Sequence, residues 1–437
     1  MRIVEILLVE APHKPGYMAK VLGVIGEFGA TVEGLNAVRR LDTDTIWEVT
    51  LEYDDVLSIE QLFEQINLLP DTFITGKSDR VFNRHKQGKI KTVSTISIDS
   101  LEILRDVYTP GVARVCQAIE QTPSKIKDFT NIQNTVAIVT NGTAILGLGD
   151  IGPEAGLPVM EGKAAILAEI VGLSGVPILL KEKDPLKIIE IVEAISPSFG
   201  AILLEDIKAP ECFTIEEELI ERVNKPVFHD DQHGTAMVVL AALLSATKQS
   251  NVDLKDRVFG QIGLGAAGMG ICNLLLEYGV QDVVGCDLSI EAQKKLRSLG
   301  GKPLSLEEVM ATADVVVATT GVKGLIKPEM VREGQIIMAL TNPDPEIEPS
   351  VALEHGALFA TCGKVVNNML AFPGLFKGTL DADVTKITHP MKIAVSETLS
   401  SLAKDGALVP ASLNKEAHKK VAEAVYEAAI KQKNEYL

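Results

Sequence analysis

Apolar positions change period several times between residues 2 and 82. RIVEILLVEA alternates apolar and polar residues and reads as a strand. PGYMAKVLGVIGEFG carries its apolar residues at helical spacing, and TVEGLNAVRR and TIWEVTLEYD return to alternation. A helix over 58–68 and a strand over 73–82 complete the order βαββαβ. NRHKQGKIKTVST (83–95) is polar, basic and aperiodic, as a linker is. Beyond it short apolar runs alternate with helical ones: TVAIVT, a helix opening at Lys163, VPILL, a helix at 185–196, AILLE, a helix near 215, and PVFHD. Such alternation predicts a parallel sheet with helices on both faces. From residue 234 the apolar helix TAMVVLAALLSATKQ leads into further strands, RVFGQIG, DVVGCD, VVVATT, IIMAL and ALFAT, and 391–437 reads as two amphipathic helices. The predicted class is α/β. A βαββαβ module covers 1–80 and a linker 81–100. An α/β domain covers 101–240, with the helices of 380–437 packed on it, and a second covers 241–379; both sheets are mainly parallel.

A length of 437 residues suits two or three domains, and a 46% hydrophobic share supplies their cores. The net charge of −17 provides no basic face for a phosphate backbone, so nucleic acid is not an expected partner. An anionic ligand then needs local help from a metal, a lysine or a helix N-terminus. Cys116, Cys212, Cys272, Cys286 and Cys362 are odd in number and lack CxxC spacing, which argues against zinc ribbons and a disulfide framework. No run of apolar residues is long enough to span a membrane, and the first residues do not read as an export signal. A cytoplasmic protein without membrane contacts is the expectation.

Two pairs of acids, Glu205-Asp206 and Asp230-Asp231, each follow a short apolar run (201–204 and 226–228) where a buried strand ends. Acids at that place converge on the carboxyl edge of a sheet. Either pair alone reads as well as a helix N-cap; together they suggest a divalent cation, Mn²⁺ or Mg²⁺, because crowded carboxylates need neutralising. Gly263-Leu264-Gly265-Ala266-Ala267-Gly268 follows the strand RVFGQI and opens a helix, and Asp287 ends the next strand. That is the dinucleotide-binding turn of a Rossmann-like domain, with the acid at the adenosine ribose; it points to NAD. Lys294 and Lys295 are close enough in sequence to meet a 2′-phosphate instead. Gly147-Leu148-Gly149-Asp150-Ile151-Gly152 matches the same spacing, but PEAGLPVMEGK follows with two prolines and no expected helix start, so it reads as a pocket-shaping loop that delivers Lys163. Lys163, partly buried near a metal, would have a lowered pKa and act as a general base. Tyr108 lies where an extended segment turns at Pro110-Gly111.

Residues 1–80, with Gly16 at the first strand-to-helix turn, resemble an ACT domain, a small regulatory module; a ferredoxin-like dimerisation module is the alternative. DVYTPGVARVC, VTNGTAILGLGDIGPEAGLPVMEGKAAI, LLEDI, FHDDQHGTA, GLGAAG, ALTNPDPEI and NNMLAFPG, in that order over about 95–380, resemble malic enzyme. With the amino-terminal module, the chain is similar to bacterial NAD-type malic enzymes that carry an ACT domain. The resemblance implies that Tyr108 and Lys163 are the catalytic acid and base and that Glu205, Asp206 and Asp231 hold the metal, with Asp230 beside it. It also implies that Asn342 and Asn368 hold the substrate, Asn367 standing next to them. The reaction implied turns L-malate into pyruvate and CO₂ with reduction of NAD. A malolactic outcome, or an amino-acid-sensing regulator without catalysis, is the alternative. An amino acid is the implied effector of the amino-terminal module, and a homodimer the expected assembly. The chain departs from the pattern at Ala144, where larger members carry an arginine for a substrate carboxylate; Arg105 or Arg114 is the suggested replacement.

Overall fold

The computed structural model describes every residue except Met1, Asp42, Asp55, Val56, Leu146, Gly147, Pro343, Lys364, Val365, Asp405, Tyr436 and Leu437. It divides into two compact units, Met1–Lys91 and Thr92–Leu437.

The first unit runs β1 (Arg2–Pro12), α1 (Tyr17–Phe28), β2 (Thr31–Arg40), β3 (Asp44–Asp54), α2 (Ile59–Asn67), β4 (Phe73–Asp79) and α3 (Arg80–His85). Its strands form an antiparallel sheet in the order β2-β3-β1-β4. Alternation decides what goes inside: Leu7, Val9 and Ala11 of β1 and Val49, Leu51 and Tyr53 of β3 are buried, with Leu7 directly opposite Val49. Val21 and Ile25 of α1 and Ile59, Leu62 and Ile66 of α2, at helical spacing, close over that face. The predicted last strand is too long. β4 stops at Asp79 and α3 takes over, cutting into the stretch expected to be linker. Val81 and Phe82 are sequence neighbours, so a strand would have sent them to opposite faces.

In the second unit α4 (Leu101–Val107), α5 (Val112–Gln121) and the short α6 (Ile126–Phe129) precede a first sheet. That sheet is built from β5 (Thr135–Thr140), α7 (Pro153–Val171), β6 (Ser174–Leu179), α8 (Pro185–Ile195), β7 (Ala201–Leu204), α9 (Glu211–Arg222) and β8 (Val227–His229). Its parallel strands lie in the order β6-β5-β7-β8. α10 (Thr235–Gln249) leads to β9 (Phe259–Ile262), α11 (Ala266–Tyr278), β10 (Val283–Cys286), α12 (Ile290–Ser298), β11 (Lys302–Pro303) and α13 (Leu306–Thr312). β12 (Val315–Ala318), β13 (Ile336–Ala339), α14 (Pro349–Glu354) and β14 (Phe359–Cys362) complete a six-stranded parallel sheet. Its order, β11-β10-β9-β12-β13-β14, starts in the middle and winds outward both ways, the doubly wound Rossmann arrangement whose ligand crevice lies at the reversal beside β9. α15 (Phe372–Asp381), α16 (His389–Leu402) and α17 (Lys415–Glu435) follow.

β7, β9, β10, β12 and β13 are buried along their whole length, as strands covered on both faces require. α10 buries every residue from 236 to 243 and so is a core helix. α16 packs along it, Ser396 Oγ donating to the Met237 carbonyl at 2.8 Å, and α17 packs along α15 and α16. Each fully buried Leu or Phe contributes about 1.5–3 kcal/mol. Leu203, Leu204 and Phe228, all fully buried, thus anchor the strand ends from which the acids emerge.

Local expectations fail at two places. PEAGLPVMEGK does start a helix: α7 opens at Pro153, where a fixed φ and a missing N–H suit the first turn, and it continues through Pro158. Lys163 therefore stands inside a 19-residue helix, not at the head of one. Of the preceding glycine motif, Gly147 lies outside the described residues, while Gly149 and Gly152 both take positive φ. The segment before Pro110-Gly111 is helical rather than extended, because Ser100 Oγ caps α4 by accepting from the Ile103 N–H; Tyr108 is the C-cap.

Candidate active site

β7 and β8 are neighbours, so the residues that follow them meet. Glu205 and Asp206 leave β7, and Asp230 and Asp231 open a π-helical turn, Asp230–Gly234, directly after β8. Oxygens of Glu205, Asp206 and Asp231 lie within 4.8 Å of one another. Asp206 adopts a positive φ of 52°, which Asp tolerates better than most residues. Its N–H donates to Asp231 Oδ2 at 2.9 Å, and its carbonyl accepts from the Ala144 N–H at 3.0 Å. Ala144 thus adjoins the acids with only a methyl group, and Arg105 and Arg114 are exposed on α4 and α5.

Lys163 reaches the same acids from α7. Its Nζ lies 2.9 Å from Glu205 Oε1, donates to Asp230 Oδ2, and sits 4.6 Å from the centre of the Phe372 ring. Burial alone would push its pKa down, but Asp230 and Glu205 outweigh burial and raise it. These carboxylates favour the charged lysine and so act against the neutral amine expected of a lysine beside a bound cation. Burial drives Glu205 well above the ordinary carboxylate range against the pull of Lys163, and Asp230 upward for the same reason. Glu205 Oε2 and Asp230 Oδ1 are buried without a hydrogen bond. Clustered carboxylates with bare buried oxygens fit a hard divalent cation such as Mn²⁺ or Mg²⁺. Tyr108 is not joined to this group; it is 68% exposed and makes no hydrogen bond to Lys163 among the described residues.

At the other sheet Gly263 turns with a φ of +87°, and Gly265 is the N-cap of α11. A Cβ on Gly268 would strike the Gly263 carbonyl, so glycine alone lets α11 approach the turn this closely. Asp287 accepts from the Leu264 N–H at 2.6 Å and the Ser289 N–H at 2.8 Å, tying the glycine turn to the end of β10. A cavity of about 620 Å³ runs over Gly263, Gly265 and Asp287, with Leu288, Ser305 and Glu307 in its wall. No lysine or arginine among the described residues lines it. Lys295 instead pairs with Glu217 at 2.9 Å and stacks on Phe213.

Asn342, Asn367 and Asn368 line a second cavity of about 550 Å³ together with Thr235, Ala267, Thr319 and Thr341. Thr319 belongs to both cavities, and Ala267 sits in the first turn of α11, so the second cavity continues from the glycine turn. Its far wall adjoins the acids, because Asn368 and Asp230 Oδ1 both pack against Gly234. Asn367 Oδ1 accepts from the Met369 N–H at 3.0 Å and holds its own turn. Sequence reasoning missed Phe372 and Glu346. Glu346, fully buried, accepts from the Thr320 N–H at 2.7 Å and Thr341 Oγ1 at 2.5 Å, bracing two loops of the cavity. Both residues fall within NNMLAFPG and ALTNPDPEI, which was the available signal.

The model of the malic enzyme N-terminal domain matches residues 87–187, and that of the malic enzyme NAD binding domain matches residues 232–299. NAD-dependent malic enzyme 1 of Bacillus subtilis is 47% identical over 430 residues, 98% of this chain and 98% of that one. The bifunctional malic/malolactic enzyme of the same organism is 41% identical over 381 residues, covering 80% of this chain and 93% of that one. The crystal structure of malic enzyme from Pyrococcus horikoshii matches with a TM-score of 0.77 at 38% identity, over 81% of this chain and 90% of that one. Identity of this order, sustained almost from end to end, is too extensive for a shared fold alone, and the chain belongs to the malic enzyme family.

Proposed function

We propose that the protein oxidises and decarboxylates L-malate to pyruvate and CO₂ with hydride transfer to NAD, and that Glu205, Asp206 and Asp231 hold Mn²⁺ or Mg²⁺ for the reaction. The supporting observation is that these carboxylates and Lys163 adjoin a cavity continuous with the glycine turn. A cation held by Glu205, Asp206 and Asp231 would supply Lewis acidity for the C2 oxygen and for the charge left by departing CO₂. Gly263, Gly265, Ala266, Ala267, Gly268 and Asp287 would hold NAD, which would supply the hydride acceptor. Lys163 Nζ passes a proton to Asp230 Oδ2, its hydrogen-bond partner, and takes the proton of the C2 hydroxyl. Asn342 and Asn368 orient the substrate through their amides, and Asn367 holds the turn that carries Asn368.

Tyr108 returns a proton to C3 in this reading. α4 and α5 bury no side chain, and Leu101, Leu104 and Tyr108 are exposed, which supports a homodimer that covers them. A monomeric mass by light scattering would remove that part of the reading. Residues 1–80 act as an ACT-like regulatory module for an amino acid. Glu10, His13, Lys14, Asp44 and Asp71, of both charges, line a cavity of about 580 Å³ there. In the same reading 81–100 is a linker, 101–240 with 380–437 carries metal and substrate, 241–379 carries NAD, and the protein is cytoplasmic. No helix among the described residues is long and apolar enough to cross a membrane.

Incubation with L-malate, Mn²⁺ and NAD tests the proposal: NADH is expected to rise in step with pyruvate. Lactate without net NADH would make the protein a malolactic enzyme, a reading favoured by the relative whose name joins both activities. Neither product would leave ligand sensing as the function.

A further inference from the structure

Glu216 lies on α9, outside every motif above, and is buried. Its carboxylate grips the turn that carries Asp230 and Asp231. Oε1 accepts the backbone N–H of His229 at 2.9 Å, while Oε2 accepts from Gln232 Nε2 at 2.5 Å and from His233 Nε2 at 2.9 Å. The opposite side of the turn is closed by α11, where a Cβ on Gly270 would collide with the Gln232 carbonyl. One side chain therefore fixes residues 229, 232 and 233, which flank both acids. An ionised carboxylate is costly to bury unless its oxygens are satisfied. Here three donors converge on it, and buried Lys392 of α16 adds a nearby positive charge. No step of the proposed reaction uses Glu216, so catalysis does not account for this arrangement.

We propose that Glu216 is a positioning residue: by clamping residues 229–233 it sets Asp230 and Asp231 in the arrangement that binds the divalent cation. The inference rests on the reading of Asp231 as a metal ligand. Partners that orient metal-binding groups typically control about ten- to a hundredfold of metal affinity. Glu216→Gln keeps the shape of the side chain but turns one acceptor into a donor, which opposes Gln232 Nε2.

The test measures Mn²⁺ binding to the metal-free full chain by the paramagnetic resonance signal of free Mn²⁺, and NAD binding in the same samples by fluorescence. For Glu216→Gln the Mn²⁺ dissociation constant is expected to rise about tenfold with NAD affinity unchanged. Gln232→Met, which removes one arm of the clamp, should show a smaller loss in the same direction and serves if Glu216→Gln does not fold. Asp231→Asn should bind Mn²⁺ weakly and NAD normally. Wild-type Mn²⁺ affinity in both clamp variants, with Asp231→Asn impaired, would overturn the clamp. Loss of NAD and Mn²⁺ binding together in the clamp variants would also overturn it, making Glu216 a general support of the fold. Wild-type affinity in Asp231→Asn would instead overturn the ligand reading.

Discussion

Lys163 and Glu205 form a buried ion pair, Nζ to Oε1 2.9 Å, between the middle of α7 and the end of β7. The lysine's partners favour its charged form, so in the proposed reaction it would need a place to send its proton, and Asp230 Oδ2 is its hydrogen-bond partner. Lys163→Ala should lower turnover by at least about a hundredfold while Mn²⁺ still binds. Steady-state rates and a Mn²⁺ titration of the variant check this; normal turnover would mean another base.

Crowding of the acids predicts a response to metal that needs no substrate. If these acids hold Mn²⁺, it should bind the folded arrangement and not the unfolded chain, so its addition to chelator-treated protein should raise the melting temperature. The rise should vanish in Asp231→Asn. A scan of thermal unfolding against Mn²⁺ concentration would show either result.

Asp287 holds the glycine turn through the Leu264 N–H while lining the cavity beside it, so its loss should act twice if NAD binds there. Asp287→Ala should lower kcat/KM with NAD and narrow the preference over NADP, because a carboxylate that repels a 2′-phosphate is removed. Glu307 remains in the wall, so preference should narrow without reversing. The ratio of kcat/KM for the two cofactors is the measurement.

His233 makes folding sensitive to acid. Burial, with help from Lys392, outweighs Glu216 and brings its pKa down from the ordinary 6.5 to about 4. The unfolded chain therefore takes up this proton first as pH falls. Its contribution to stability is intact above about 6.5 and is lost progressively toward 4. Melting temperature against pH should fall less steeply across that window in His233→Asn than in the wild type.

The glycine turn was legible because strand, turn and helix are contiguous, and Gly263, with its positive φ, and Gly268, against the Gly263 carbonyl, each meet a local steric demand. The acid pairs were legible because β7 and β8 end directly before them. What escaped depends on contacts between distant segments. Lys163 pairs with Asp230 at the end of another strand, a contact its own helix does not announce. Glu216 sits in the acidic run EEELIER, where nothing distinguishes the residue that turns inward from those that stay in solvent. The start of α7 is hidden because prolines usually break helices, whereas Pro153 occupies the first turn. Tyr108 was placed at a turn, but its helix cap was hidden by the proline that follows.

Gly270 lies against the Gln232 carbonyl with no space for even a methyl group. The contact constrains protein engineering: a chimera that kept residues 92–234 and borrowed its nucleotide-binding portion from another dehydrogenase would need a glycine at this point of its first helix. With alanine there, the graft would lever the acid-bearing turn away from its seat. Interchange of parts is therefore limited by a seam one hydrogen atom wide, not by either half's capacity to fold.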